Sequence, residues 1–138
     1  MIAAGRYRIA VPAAEWDAPW SLWPLGDIHW WNAACDEAAA DETLAAIAED
    51  SKSRVIGMGD YSDLIGHQDK RFDGDSIAPS MVMDWLKRHG SAARDHLIEK
   101  LSPIKGKIVG LHLGNHEWKY ANVMESPVVQ DACKAMGV

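Results

Sequence analysis

The sequence is short of cysteine, of basic residues and of long apolar runs. Its two cysteines, Cys35 and Cys133, have none of the spacings typical of zinc-binding pairs, so we expect reduced thiols, with a disulfide as the alternative. The 14 Lys and Arg against 20 Asp and Glu give a net charge of −6, which argues against a general nucleic-acid-binding surface. No stretch approaches the ~20 apolar residues of a membrane span, and the first residues do not resemble a signal peptide. We therefore expect a cytoplasmic protein without a membrane partner.

The length and composition suit one globular domain over residues 1–138. Of the 138 residues, 48% are hydrophobic and 25% are charged. A chain of this size buries roughly 68% of its unfolded surface, so it needs neither a disulfide nor a structural metal to hold a core. Carboxylates gathered around divalent cations would explain part of the negative charge, and an ordinary acidic surface is the alternative.

Three short apolar runs predict buried β-strands, and each is followed directly by polar residues. The runs are residues 21–26, 54–58 and 107–113, and a further strand is predicted at residues 7–11. Strands that alternate with helices favour an α/β fold with parallel neighbours, in which ligands bind beyond the carboxyl ends of the strands. The polar residues after each run are therefore candidates for a functional site.

Helices are predicted between and after these strands. The first is rich in Ala, Glu and Leu, with Asn32 as its predicted N-cap or with a start nearer Asp41. The second has a predicted break at Gly90, and the third is short. The stretch before the second helix has no periodicity, which predicts a long loop. The three helices and the loop span, in that order, residues 33–50, 80–101, 126–136 and 60–79.

The polar clusters after the strands combine carboxylates, imidazoles and an amide, which are donors that divalent cations take in proteins. Asp27 and His29 lie two residues apart, so on an extended segment their side chains point the same way and can bind one cation. Asp60 has two oxygens and can bridge to a second cation, for which Asn115 offers an amide oxygen. His116 is placed to act as an acid or as a charge aimed at the substrate. The clusters are Asp27-Ile28-His29, Gly59-Asp60-Tyr61-Ser62-Asp63 and Gly114-Asn115-His116-Glu117.

As an ordered set, these clusters resemble the N-terminal signature of the calcineurin-like metallophosphoesterase superfamily, which runs D-x-H, then G-D-x-x-D, then G-N-H-[E/D]. The resemblance covers about the first 120 residues. It implies the N-terminal half of an α/β/β/α sandwich, with a mostly parallel central sheet and flanking helices. It also implies metal-dependent hydrolysis of phosphate mono- or diesters, with a metal-bridging hydroxide as the nucleophile. The residues after the second motif are similar to those of members from phages and bacteria.

The resemblance gives each matching residue a role. Asp27 and His29 are the implied ligands of the first ion, and Asp60 bridges both ions. Asn115 is the implied ligand of the second ion, and His116 protonates the leaving oxygen or steadies the phosphoryl group. The implied cofactors are two divalent metal ions, with Mn as the first choice and Fe, Zn or Ni as alternatives. The acids that brace the site without binding metal are Asp63 and Glu117.

The sequence also departs from the family pattern. The family takes a further histidine and a G-H-x-H motif from its C-terminal half, whereas no histidine follows His116 here. We therefore expect a truncated metallophosphoesterase domain that lacks the C-terminal half, with ligands from another subunit as an alternative. A third interpretation is a degenerate, non-catalytic homologue that acts as a binding or assembly module. Leu64 and Leu113 stand where serine/threonine phosphatases carry arginine, which argues against that subfamily.

Three residues near the motifs are candidates for contacts to a phosphate-ester substrate. Lys70 and Arg71, in the long loop, suit a substrate phosphate, and solvated loop charges are the alternative. Trp30 directly follows His29 and suits stacking on a nucleobase, so a nucleotide or nucleic acid is a candidate substrate. Packing in the core is the alternative for Trp30. An open sheet edge and an uncovered apolar face would favour a homo-oligomer.

Overall fold

A parallel sheet forms from the three apolar runs, as predicted. The computed structural model of the protein describes residues 19–65, 70, 72–79 and 82–138, with side chains from residue 88 onward in the last range. The strand predicted at residues 7–11 lies outside the described residues. Three strands make up the sheet, and they are β1 (Ser21–Gly26), β2 (Ser53–Gly59) and β3 (Ile108–Leu111).

The strands lie side by side in chain order, and both neighbouring pairs are parallel. Val55 of β2 pairs with Trp23 of β1 and with Ile108 of β3, so β2 is the central strand. Alternate residues of β2 are buried, and Met58 on the other face is exposed, because successive side chains of a strand point to opposite faces. All three strands end at the same edge of the sheet, which brings the polar clusters together.

Four helices accompany the sheet in the described part of the chain, so the α/β class is confirmed. None of them is long and apolar enough to cross a membrane. A short 3-10 helix covers Gly74–Ser76, and another covers Ser102–Lys107, between the second helix and β3. The α-helices are α1 (Glu37–Glu49), α2 (Val82–Leu101), α3 (Asn115–Met124) and α4 (Val128–Met136).

Helix α1 begins later than the N-cap prediction and earlier than the alternative. Its N-cap is Asp36, whose side chain accepts a hydrogen bond from the backbone N–H of Ala39 at 3.0 Å. The prediction of Asn32 as the cap is therefore wrong, and so is a start near Asp41. Asn32 lies in a turn before the helix, where its Oδ1 accepts a hydrogen bond from the N–H of Ala34 at 2.9 Å.

The remaining helices agree with the predictions in part. Helix α2 has a kink at Arg88, with φ −156° and ψ 41°, two residues before the predicted break. Helix α4 starts at Val128, two residues after the predicted start at residue 126, and ends at Met136 as predicted. The sequence does not predict helix α3. Its Trp118, Val123 and Met124 are exposed, so its apolar residues do not form the continuous stripe by which an amphipathic helix is recognised in a sequence.

The hydrophobic core lies on one face of the sheet, beneath α1 and α2. Trp30 and Trp31, directly after the first polar cluster, are fully buried there, at 0% and 2% exposure. Their rings contact two histidines of α2: the centroids of Trp30 and His96 are 5.5 Å apart, and those of Trp31 and His89 are 5.9 Å apart. The two tryptophans therefore join the end of β1 to α2.

The other face of the sheet exposes apolar side chains in the described part of the chain. Leu22 on β1 and Met58 on β2 are 56% and 55% exposed. An exposed apolar sheet face is the kind of surface that a homo-oligomer would use, and that oligomer stays a prediction.

Lys107 closes the C-terminal end of α1. Its Nζ donates hydrogen bonds to the carbonyl oxygens of Ile47, Ala48 and Asp50, the last two at 2.7 Å. The cation also offsets the negative end of the helix dipole. We expect Lys107→Met to lower the free energy of unfolding by about 2 kcal/mol, as measured by urea denaturation. The control Lys105→Met removes an exposed lysine of the same segment, and an equal loss in both variants would contradict the cap.

Burial of His89 predicts a dependence of stability on pH. Burial lowers the pKa of His89 from 6.5 to about 4, and the charge of Asp63 offsets this only in part. Between these two values the unfolded chain binds a proton that the folded chain does not. Acid therefore favours unfolding, and we expect the free energy of unfolding to fall as the pH drops from about 6.5 to about 4.

Urea denaturation across this pH range tests the prediction with two variants. We expect His89→Gln to flatten the dependence, although burial also lowers the pKa of His96, which keeps part of the slope. The exposed His112→Gln is the control and should keep the full slope. A slope that is unchanged in His89→Gln would show that the pKa of His89 does not set the dependence.

Candidate metal centre

The loops after β1 and β2 are joined by backbone hydrogen bonds. The N–H of Asp27 donates to the carbonyl of Gly59 at 3.0 Å. The N–H groups of Ile28 and His29 both donate to the carbonyl of Asp60, at 3.0 and 3.1 Å. These bonds hold the first two polar clusters directly against each other.

Several residues of these loops have a left-handed backbone although they are not glycine. The φ angles of Asp27, His29 and Asp60 are 53°, 54° and 53°, and that of Trp31 is 79°. Each such residue costs on the order of 1–3 kcal/mol, and such residues gather at functional sites. The extended segment that the sequence predicts for Asp27 and His29 is therefore wrong. Both residues have left-handed backbones, and their side chains come together through these turns.

Three predicted ligands meet at this edge of the sheet. One donor atom from each of Asp27, His29 and Asp60 lies within 4.8 Å of the others. Asp27 is exposed, and the other two are half-buried, so the group is open to solvent. Two carboxylates and one imidazole are a donor set that first-row divalent cations accept.

The start of α3 holds both carboxylate oxygens of Asp60. Oδ1 accepts a hydrogen bond from the backbone N–H of His116 at 3.0 Å, and Oδ2 accepts one from Nδ2 of Asn115 at 3.0 Å. The first N–H groups of a helix lack partners within the helix, and its dipole favours a negative charge there. The third polar cluster is thereby placed beside the second.

The glycines that begin the second and third clusters let the two loops touch. A Cβ on Gly59 would lie 2.1 Å from the backbone nitrogen of Gly114, and Gly59 has a φ of 96°. A Cβ on Gly114 would lie 2.2 Å from the nitrogen of Asp60. A larger residue at either position would push the two loops apart.

The buried carboxylate of Glu117 binds four backbone N–H groups. Its Oε1 accepts hydrogen bonds from Tyr61 and Ser62, at 2.7 and 3.2 Å. Its Oε2 accepts them from Asp60 and Gly114, at 2.9 and 3.1 Å. The Glu117 side chain is buried, at 3% exposure. Its four hydrogen bonds therefore connect the second cluster to the third from within the fold.

Asp63 lies between a histidine and an asparagine. Its Oδ1 is 3.1 Å from Nδ1 of His116, and its Oδ2 accepts a hydrogen bond from Nδ2 of Asn32 at 2.7 Å. Burial raises the pKa of this carboxyl, but the contacts with His116 and Asn32 outweigh burial and hold the pKa below its usual value. Asp63 is therefore ionised at neutral pH and places a negative charge beside the His116 ring.

His29 links this pair to the metal-ligand group. The rings of His29 and His116 meet edge to face, with centroids 4.8 Å apart. His29, Asp63 and His116 also have donor atoms within 4.8 Å of one another. The two groups share His29, so the predicted acid lies next to the predicted ligands.

A cleft of about 480 Å³ opens over these residues. Its wall includes Asp27, His29, Asn32, Cys35 and His116. Both cysteines are free thiols, as expected. Burial, followed by nearby carboxylates, raises the pKa of Cys35, so its thiol stays protonated and is a poor nucleophile.

The predicted substrate contacts do not lie in this cleft where the structure describes them. Trp30 is fully buried, so core packing, and not base stacking, is its place in the fold. Lys70 is exposed and is not part of the cleft wall. Arg71 lies outside the described residues.

The sequence interpretation missed Asn32 as a part of the site. Asn32 and Asp63 are 31 positions apart, so no local pattern signals their hydrogen bond.

No family model matches the chain, and neither a curated protein nor a solved structure matches it. The resemblance to metallophosphoesterases therefore depends on the three motifs alone.

Glu117→Gln tests the link between the second and third clusters. The amide keeps the shape of the side chain, but its NH₂ group cannot accept the hydrogen bonds that one carboxylate oxygen accepts. We expect the free energy of unfolding to fall by about 3 kcal/mol, as measured by urea denaturation. The control Glu99→Gln changes an exposed glutamate of α2. A loss of less than about 0.5 kcal/mol in Glu117→Gln would contradict the structural role given to this carboxylate.

Proposed function

We propose that this chain is a metal-binding domain of the calcineurin-like metallophosphoesterase type, which hydrolyses phosphate mono- or diesters. One observation carries the proposal. Donor atoms of Asp27, His29 and Asp60 lie within 4.8 Å of one another, and the Asn115 amide contacts Asp60. The three motifs thus converge in space as well as in order.

The donors present fit a first divalent ion better than a second. Asp27, His29 and Asp60 would hold the first ion, and Mn²⁺, Fe, Zn²⁺ and Ni²⁺ all accept such a mixed set of oxygen and nitrogen donors. For the second ion the candidates among the described residues are Asp60 and Asn115, and here Asn115 meets Asp60 through its Nδ2, which donates a hydrogen bond to Oδ2. Bound divalent ions supply Lewis acidity and activate water for attack on phosphorus.

The protein's own residues provide the acid. His116 would give a proton to the leaving oxygen, and the ionised carboxylate of Asp63 lies 3.1 Å from its Nδ1 and would orient the ring. The left-handed turns at the ligands fix their positions in advance, which is the property that catalysis by orientation needs. Both a monoester and a diester leaving group can take this proton, so both substrate classes are retained.

A non-catalytic binding or assembly module is the second candidate. The observation that favours it is the short donor set for a second ion among the described residues, since the two-ion chemistry of the family needs both ions. This candidate predicts one weak metal site and no hydrolysis.

Calorimetry and activity assays with Mn²⁺ test the proposal. We expect one tight Mn²⁺ site in the chain, and hydrolysis of p-nitrophenyl phosphate or bis-p-nitrophenyl phosphate that requires Mn²⁺. Asp60→Asn should weaken Mn²⁺ binding by at least about 100-fold, because it removes a charged ligand, and should abolish hydrolysis. The matched control is Asp95→Asn, an exposed aspartate of α2.

Two results would contradict the proposal. Mn²⁺ binding that is equal in Asp60→Asn and in the unchanged chain would show that Asp60 does not bind the metal. Hydrolysis at the full rate in His116→Ala would show that His116 is not the acid.

A further inference from the structure

Asn32 is held at several points between the first and second polar clusters. Its backbone N–H donates to the carbonyl of His29, and its carbonyl accepts from the N–H of Cys35, both at 3.0 Å. Its side-chain Oδ1 accepts from the N–H of Ala34 at 2.9 Å. The side-chain Nδ2 reaches the loop after β2, where it donates to Oδ2 of Asp63 at 2.7 Å.

The two carboxylate oxygens of Asp63 have different partners. Oδ2 is held by Asn32, and Oδ1 faces Nδ1 of His116 at 3.1 Å. The backbone of Asp63 is fixed as well, because its N–H donates to the carbonyl of Trp30 at 2.8 Å. The remaining freedom of the side chain is rotation of its carboxylate, and the Asn32 amide opposes that rotation.

We infer that Asn32 is a positioning residue for His116, and that it acts through Asp63. This inference depends on the proposed function, in which His116 is the acid. With Nδ1 of His116 turned to Asp63, the proton for the substrate is carried on Nε2. As the bond between phosphorus and the leaving oxygen breaks, that oxygen takes the Nε2 proton. Water supplies the oxygen that phosphorus gains, and a proton of that water returns to His116.

Asn32→Asp separates positioning from local structure. An aspartate has the same shape and keeps the acceptor for the Ala34 N–H, so the turn before α1 is retained. It lacks the donor, and it sets a second carboxylate against the ionised Asp63. Asn32→Ala removes the donor without adding charge. Asn122→Asp, an exposed position on α3, is the control for the added charge.

The first measurement compares two monoesters at saturating Mn²⁺. Phenyl phosphate has a basic leaving group that needs a proton, whereas p-nitrophenyl phosphate needs little help. We expect both Asn32 variants to lower kcat for phenyl phosphate by about 10- to 100-fold, a part of what general acid catalysis contributes. For p-nitrophenyl phosphate the loss should be no more than a few-fold, with KM nearly unchanged. His116→Ala should show the same preference, and Asn32→Ala should add little to it, because the residues act as one unit.

The second measurement is independent of activity. Long-range ¹H–¹⁵N NMR correlations of the metal-free chain report which ring nitrogen of His116 carries a proton. We expect a protonated Nδ1 in the unchanged chain and in Asn122→Asp, and altered His116 nitrogen signals in both Asn32 variants.

The outcomes separate this inference from the proposed function. A chain that hydrolyses neither ester overturns the proposed function, and the NMR result then decides alone whether Asn32 positions His116. The inference is overturned if the His116 signals are the same in both Asn32 variants as in the unchanged chain. It is also overturned if kcat falls equally for the two esters. If Asn32→Asp does not fold, Asn32→Ala decides on the same two measurements.

Discussion

The buried carboxylate of Glu117 is the interaction on which the geometry of the candidate site depends. It accepts four backbone N–H groups, from Asp60, Tyr61 and Ser62 in one loop and from Gly114 in the other. These N–H groups point away from the sheet ladder, and a buried donor without an acceptor costs about 1–3 kcal/mol. One charged side chain therefore accepts hydrogen bonds from the backbone N–H groups of both loops and fixes the distance between the loops.

This support explains how the protein tolerates strain at the ligands. Asp27, His29 and Asp60 all have left-handed backbones, which cost free energy in residues other than glycine. The strain persists because the backbone bonds between the two loops, together with the bonds to Glu117, leave the chain no relaxed alternative. The ligand positions are consequently set before any ion binds, and binding does not have to order them.

The site also stands directly on the hydrophobic core. Trp30 and Trp31 follow the predicted ligand His29 and are buried against His89 and His96 of α2. The position of Trp30 beside a predicted ligand suits a surface for a nucleobase, but both tryptophans are buried in the core. They anchor the loop of the first ligand pair, so that displacement of this loop would open the core.

The sequence by itself determined the α/β class and singled out three side chains that could hold a metal ion. Asp27, His29 and Asp60 directly follow strands whose apolar runs are visible in the chain, and parallel strands end at a common edge. Local patterns could not give the left-handed turns, the unpredicted helix α3 or the role of Asn32, which looked like a helix cap. Asn32 meets Asp63 across 31 positions. Only the tertiary structure decides such a pairing, because it depends on how two loops pack and not on the residues within either one.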